Sequence, residues 1–211
     1  MTNKSLELKT DLLLGFFICS LILANTLGTK ITTLFNVRVS VGILFIPILF
    51  IVTDIIAEVY GEKKAKSFVY IAIVVLLFTW IMMYISIKMP PNAIWDNQEA
   101  FTSVFGSSLR MIIASMIAFV ISQFHDIWAF MFWKKKTHGK YLWLRNNLST
   151  ITSQLIDTVI FMFIAFYKIT PKFTFLFIIS LIIPYWIFKV VFALIDTPFV
   201  YLGVKWLRSD K

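Results

Sequence analysis

The sequence predicts an all-α polytopic integral membrane protein, a bundle of about six transmembrane helices with both termini cytoplasmic. Three observations carry that prediction. Apolar residues make up 59% of the 211 and charged residues only 15%, against roughly 45–50% and 25% in soluble domains. The mean hydropathy is +0.85. The basic residues gather in short polar breaks between apolar runs rather than inside them.

A helix rises about 1.5 Å per residue, so roughly 20 apolar residues cross the hydrocarbon core. Six segments reach that length, near 11–28, 41–59, 67–87, 109–132, 148–167 and 174–197, within a single domain of residues 1–211. The fourth and sixth exceed a minimal span, which predicts tilt or extension beyond the lipid. Pro47 and Pro184 fall inside the second and sixth, where each should remove a helical hydrogen bond and kink its helix. The longest connection, Lys88 to Ser108, contains Pro90-Pro91 and reads as an ordered cap or a short surface helix. The N-terminus lacks a small-residue cleavage site and reads as a retained first span.

Orientation follows from the charges. With the N-terminus inside, the inner segments hold thirteen of the 20 Lys and Arg, including Lys63, Lys64, Lys66 and Lys134 to Lys136. The outer segments and span edges hold six, and the remaining one, Lys189, lies deep within a span. That asymmetry places both termini in the cytoplasm. It also accounts for the net charge of +9 without a nucleic-acid partner; membrane lipids are the expected surroundings. Cys19 is the single cysteine, and His125 and His138 are the only histidines. No disulfide is available, and no metal site or cofactor is expected.

Charged groups inside the spans point to function. Asp54 and Glu58 lie four apart in VGILFIPILFIVTDIIAEV, so a helix projects both carboxylates from one face. Such groups at membrane depth almost always face a cavity, a partner or a solute path. On the fifth span Asn147, Thr150, Gln154, Asp157 and Thr158 fall within about 100° of arc. The fourth turns Ser115, Ser122, Gln123 and Asp126 to one side, the sixth aligns Tyr185, Lys189 and Asp196, and the first ends in Asn25-Thr26. SQFHD in the fourth span echoes SQLID in the fifth. Hydroxyls and amides commonly act as interhelical glue. Asp54, Glu58, Asp157 and Lys189 together exceed what glue requires, because neutral amides would serve at lower desolvation cost. Acids, amides and aromatic walls suit a planar heterocycle with a guanine-like edge, although a sugar would meet the same groups.

Thr53-Asp54-Ile55-Ile56-Ala57-Glu58-Val59-Tyr60-Gly61 with Lys63-Lys64-Ala65 resembles the signature of the queuosine precursor transporters, also called the vitamin uptake transporter family. Arg145-Asn146-Asn147-Leu148-Ser149-Thr150 and Ser153-Gln154-Leu155-Ile156-Asp157-Thr158 resemble its second block, and Lys189 with Thr197-Pro198 and Asn25-Thr26 with Lys30 fit the remaining ones. The resemblance implies a bacterial inner-membrane importer of 7-deazaguanine bases such as preQ0, preQ1 or queuine. It implies no enzymatic activity. The expected substrate-binding residues are Asn25, Asp54, Glu58, Asn147, Gln154, Asp157 and Lys189. Glu58 or Asp54 would read the base edge and Gln154 or Asn147 the oxo group, while Asp157 and Lys189 would pair when the site is empty. The alternative is a substrate-capture subunit of an ATP-driven vitamin uptake system. The coupling ion and homo-oligomerisation stay open.

Overall fold

The computed structural model describes residues 2–34, 37–106, 108–168, 171 and 173–209. Among these, the chain forms α1 (Thr2–Thr26), a hairpin of β1 (Ile31–Leu34) and β2 (Val37–Ser40), and a 3-10 turn at Val41–Leu44. There follow α2 (Ile46–Tyr60), α3 (Glu62–Lys88), α4 (Gln98–Gly106), α5 (Ser108–Lys136), α6 (Leu142–Phe166) and α7 (Phe175–Arg208). Val41–Tyr60, α3, the α4–α5 stretch, α6 and α7 are long and apolar enough to cross a membrane. With α1, 25 residues long, they form the expected bundle. The short α4, which buries none of its residues, occupies the connection read as a surface helix.

α2 lies at the centre. Of its apolar window 61% is buried, against 22% for α7 and 25% for the α4–α5 stretch. Peripheral helices instead turn large apolar side chains outward, among them Phe16, Val74, Phe78, Trp128 and Leu202. In water such a surface would aggregate; against lipid tails it is the required one. Phe17 of α1 packs on Phe68 of α3 and Phe119 of α5 with ring centroids 6.1 and 6.0 Å apart, tying three helices into the main core. Lys9 Nζ donates to the Trp206 carbonyl at 2.9 Å, and Thr10 meets the Tyr60 hydroxyl at 2.7 Å. Residues 9–10 of α1 and the C-terminal end of α7 therefore lie beside the α2–α3 turn, at the opposite end of the bundle from the hairpin.

Two expectations are corrected. Pro47 does not interrupt a helix: α2 begins at Ile46, and the proline occupies its first turn. Its missing N–H would have had no intrahelical partner there. The preceding Val41–Leu44 belongs to the 3-10 turn, capped by Ser40 Oγ accepting from Gly42 N at 3.1 Å. The hairpin itself was not anticipated. Its antiparallel register pairs Ile31 with Ser40 and Leu34 with Val37, where the apolar run is too short to span lipid. Pro184 does lie within α7, as does Pro198, and the helix continues through both for 34 residues, about 51 Å.

Two glycines have structural duties. Gly61 ends α2 at φ 85°, ψ 179°, a region essentially closed to side-chain-bearing residues, which explains the glycine of the Val-Tyr-Gly run. Gly42 lies so close to α1 that an added Cβ would stand 2.7 Å from the Ala24 carbonyl oxygen and 3.2 Å from Gly28 Cα. Backbone cannot step aside as a side chain can. Gly42→Val is therefore expected to cost about 1–3 kcal/mol, read as a lowered thermal unfolding midpoint in detergent; an unchanged midpoint would contradict the close approach.

A three-tier polar column as candidate functional site

The inward polar faces of α2, α5, α6 and α7 form a column with three tiers. The first lies at the end that holds the termini. Glu58 Oε2 accepts from Arg145 Nη1 at 2.7 Å and Lys134 Nζ at 2.9 Å, and Oε1 accepts from Arg208 Nη2 at 2.9 Å. One carboxylate at the C-terminal end of α2 thus gathers cations from α5, α6 and α7. Arg145 also donates to the Gly139 carbonyl at 3.1 Å and stands 5.3 Å over the Phe130 ring. That carbonyl is offered by a loop in which His138, Gly139 and Tyr141 all adopt positive φ, a cost that persists only where surrounding contacts enforce it.

The second tier is sealed. Asp54 and Asp126 are 1% and 0% exposed and are neighbours across α2 and α5. Thr150 Oγ1 donates to Asp54 Oδ2 at 3.4 Å. Ser149 and Ser153 border Asp126, and Ser153 Oγ meets His125 Nδ1 at 2.9 Å. Asp54 Oδ1, both Asp126 oxygens, Gln123 and Gln154 Oε1 have no hydrogen-bond partner in the structure. Buried polar atoms of that kind call for an explanation.

The third tier is a cavity of about 710 Å³ in the hairpin half of the bundle. Its walls include Phe50, Phe119, Phe161, Phe166 and Tyr185; Asp157 and Lys189 are its charged lining residues. Lys189 Nζ donates to Asp157 Oδ2 at 2.7 Å and lies 5.4 Å over the Tyr185 ring. Ser122 Oγ donates to Asp157 Oδ1 at 3.4 Å. Asn25 adds an amide from the end of α1, and its Nδ2 donates to the Leu21 carbonyl at 2.8 Å.

The seven residues singled out from the sequence are therefore not one cluster. Asn25, Asp157 and Lys189 line the cavity. Asp54 and Gln154 lie in the sealed tier. Glu58 sits in the ionic tier, and Asn147 joins α6 to α7 by donating to Thr197 Oγ1 at 2.9 Å and the Trp143 carbonyl at 2.7 Å. Arg145, Lys134 and Arg208 were read from sequence as orientation charges only. Arg145 is 1% exposed, and its place within the Arg-Asn-Asn-Leu-Ser-Thr block was the available signal. Asp126 was placed on an inward face, but its partner was not legible.

A lipid-exposed helical bundle enclosing a polar-tipped, aromatic-walled cavity defines a multi-pass membrane protein suited to a small solute. Comparison with known proteins makes the class specific. The chain belongs to the family described as "Putative vitamin uptake transporter", which matches residues 40–203. A protein of Bacillus subtilis named "Probable queuosine precursor transporter" is 30% identical over 189 residues, 89% of this chain and 81% of that one. A Haemophilus influenzae protein of the same name is 26% identical over 63% of this chain and 54% of its own length. The Escherichia coli "Queuosine precursor transporter" is 23% identical over 60% and 55%. No solved structure matches at a significant level. These relatives and the apolar helices make this chain a multi-pass bacterial membrane protein of the transporter class.

Proposed function

We propose that the chain imports a 7-deazaguanine-type precursor of queuosine, with preQ0, preQ1 and queuine as the candidates. The observation that carries this reading is the Asp157–Lys189 pair, 2.7 Å apart, inside an aromatic-walled cavity of about 710 Å³, a size suited to a small heterocycle. The names of the relatives supply the substrate class. In this reading Asp157 accepts the ring N–H and exocyclic amine, and Lys189 donates to the oxo group. Asn25 completes the polar edge while Phe119, Phe161 and Tyr185 cover the ring.

Solute enters from the hairpin end, and the Glu58 network closes the opposite end. That end is cytoplasmic because it collects most of the basic residues. Import then requires Glu58 to release Lys134, Arg145 and Arg208, a rearrangement of helix ends around a central site. Glu58 acts as a gate in this account, and the edge-reading role passes to Asp157.

Equilibrium binding of queuine, its nitrile and aminomethyl precursors and guanine to the purified protein tests the substrate. At least one deazaguanine base is expected to bind about tenfold more tightly than guanine, a difference of about 1.4 kcal/mol. Equal affinity for guanine, or no binding, overturns the assignment. Uptake by vesicles containing only this protein supports a self-sufficient transporter; binding without uptake supports the capture-subunit alternative.

A further inference from the structure

We propose that Asp54 and Asp126 form one shared proton-binding site, placed between the cavity and the ionic gate, that couples proton movement to solute movement. The coupling half of this inference rests on the transport reading above; the proton site itself does not. Two carboxyls from different helices adjoin each other, 1% and 0% exposed, between the cavity and the ionic tier. Two carboxylate charges in contact at low dielectric repel strongly, and such pairs hold one proton between them. A single proton converts the repulsion into an O–H···O⁻ hydrogen bond, which is short and strong. Three unpartnered oxygens, Asp54 Oδ1 and both of Asp126, are what this proton and its exchange would use.

The surroundings leave the pair without a neutralising cation in contact. Arg145 acts on Asp54 only through space, its Nη1 being committed to Glu58 at 2.7 Å. His125 on α5 reaches Ser153 rather than either carboxyl. From α6 come Ser149, Thr150 and Ser153, which are hydroxyls. Among the described residues, α1, α3 and α7 contribute no charged side chain acting on either acid. The charge of the pair is thus set by its own proton.

Connection to the cavity comes from the repeated Ser-Gln-x-x-Asp of α5 and α6. Ser122 of the first copy donates to Asp157 of the second at 3.4 Å, and Ser153 of the second borders Asp126 of the first. The contacts are reciprocal across two antiparallel helices. Each serine lies one helical turn, about 5.4 Å, from the aspartate of its own copy. A solute that separates Asp157 from Lys189 therefore disturbs Ser122, one helical turn from Asp126. The proton enters from the cavity side onto a pair carrying two negative charges, leaving one. It departs towards the Glu58 end once that gate opens, restoring the second charge.

Infrared difference spectroscopy on the purified protein without solute tests the site. A carbonyl-stretch band of a protonated carboxylic acid is expected to titrate with pH, shift in D2O and vanish in both Asp126→Asn and Asp54→Asn. Wild type without such a band overturns the proposal, whether or not the variants fold. In vesicles, an outside-acid step of one pH unit is expected to drive queuine accumulation of up to about tenfold at one proton per solute. Asp126→Asn is expected to lose that accumulation while still exchanging internal for external queuine. Accumulation that follows a sodium gradient at constant pH, or persists in Asp126→Asn, overturns the coupling. Failure of wild type to bind queuine, with the band present, would sink the substrate reading and leave the proton site standing.

Discussion

Glu58→Gln is expected to destabilise the bundle by about 3–5 kcal/mol. The reason lies in Arg145, 1% exposed, which would lose its charged partner at 2.7 Å and keep only the Gly139 carbonyl and the Phe130 ring. A guanidinium buried to that degree is costly to leave without its carboxylate. Against total stabilities of about 5–15 kcal/mol, the loss is large and visible as a lowered unfolding midpoint in detergent. Arg208→Ala removes the third cation from the same carboxylate, yet Arg208 is 55% exposed, so the expected cost stays within about 1 kcal/mol. Equal effects from the two substitutions would show that the network is not a buried clamp. In function, Glu58→Gln is expected to abolish uptake while solute binding survives, since Glu58 does not line the cavity. Lost binding with intact folding would return the edge-reading role to Glu58.

Asp157→Asn should have the opposite signature. Removing that carboxylate leaves Lys189, 4% exposed, without its ion-pair partner and with the Tyr185 ring 5.4 Å away. Truncating one member of a buried, hydrogen-bonded charge pair costs about 2–5 kcal/mol, so solute affinity is expected to fall by roughly 30-fold or more. The double variant Asp157→Asn/Lys189→Met separates folding from recognition. Without a stranded ammonium it is expected to regain the wild-type unfolding midpoint, yet it should not regain affinity, because both polar contacts to the solute are gone. Wild-type affinity in Asp157→Asn would exclude the cavity pair from recognition.

Much of the architecture was legible because lipid imposes simple rules. Backbone polar groups must be satisfied within each span, so an apolar run of sufficient length can only be a helix. The inward faces of α5 and α6 were equally plain: hydroxyls, amides and acids recur there at helical spacing, and both Asp126 and Asp157 do face inward. The β1–β2 hairpin escaped because the twelve residues between two strong apolar runs, 29–40, read as a loop. Pro47 was misplaced because composition carries the apolar run back to Val41, whereas the helix itself begins at Ile46.

The functional tiers were harder to read for a different reason. Asp54 and Glu58 share a helical face and were expected to share a site. One turn of helix, about 5.4 Å, separates a buried carboxyl pair from an ionic cluster, and only the neighbours across the interface distinguish them. Arg145, Lys134 and Arg208 satisfy the positive-inside rule whether they point to water or into the bundle, so their sequence positions could not reveal that all three converge on Glu58. The linear chain by itself determined the number of spans, their inward faces and the class of residue on each. Which acid meets Lys189, which meets another acid and which meets three cations was decided by helix packing, because charge–charge energies depend on distances between elements that are remote in sequence.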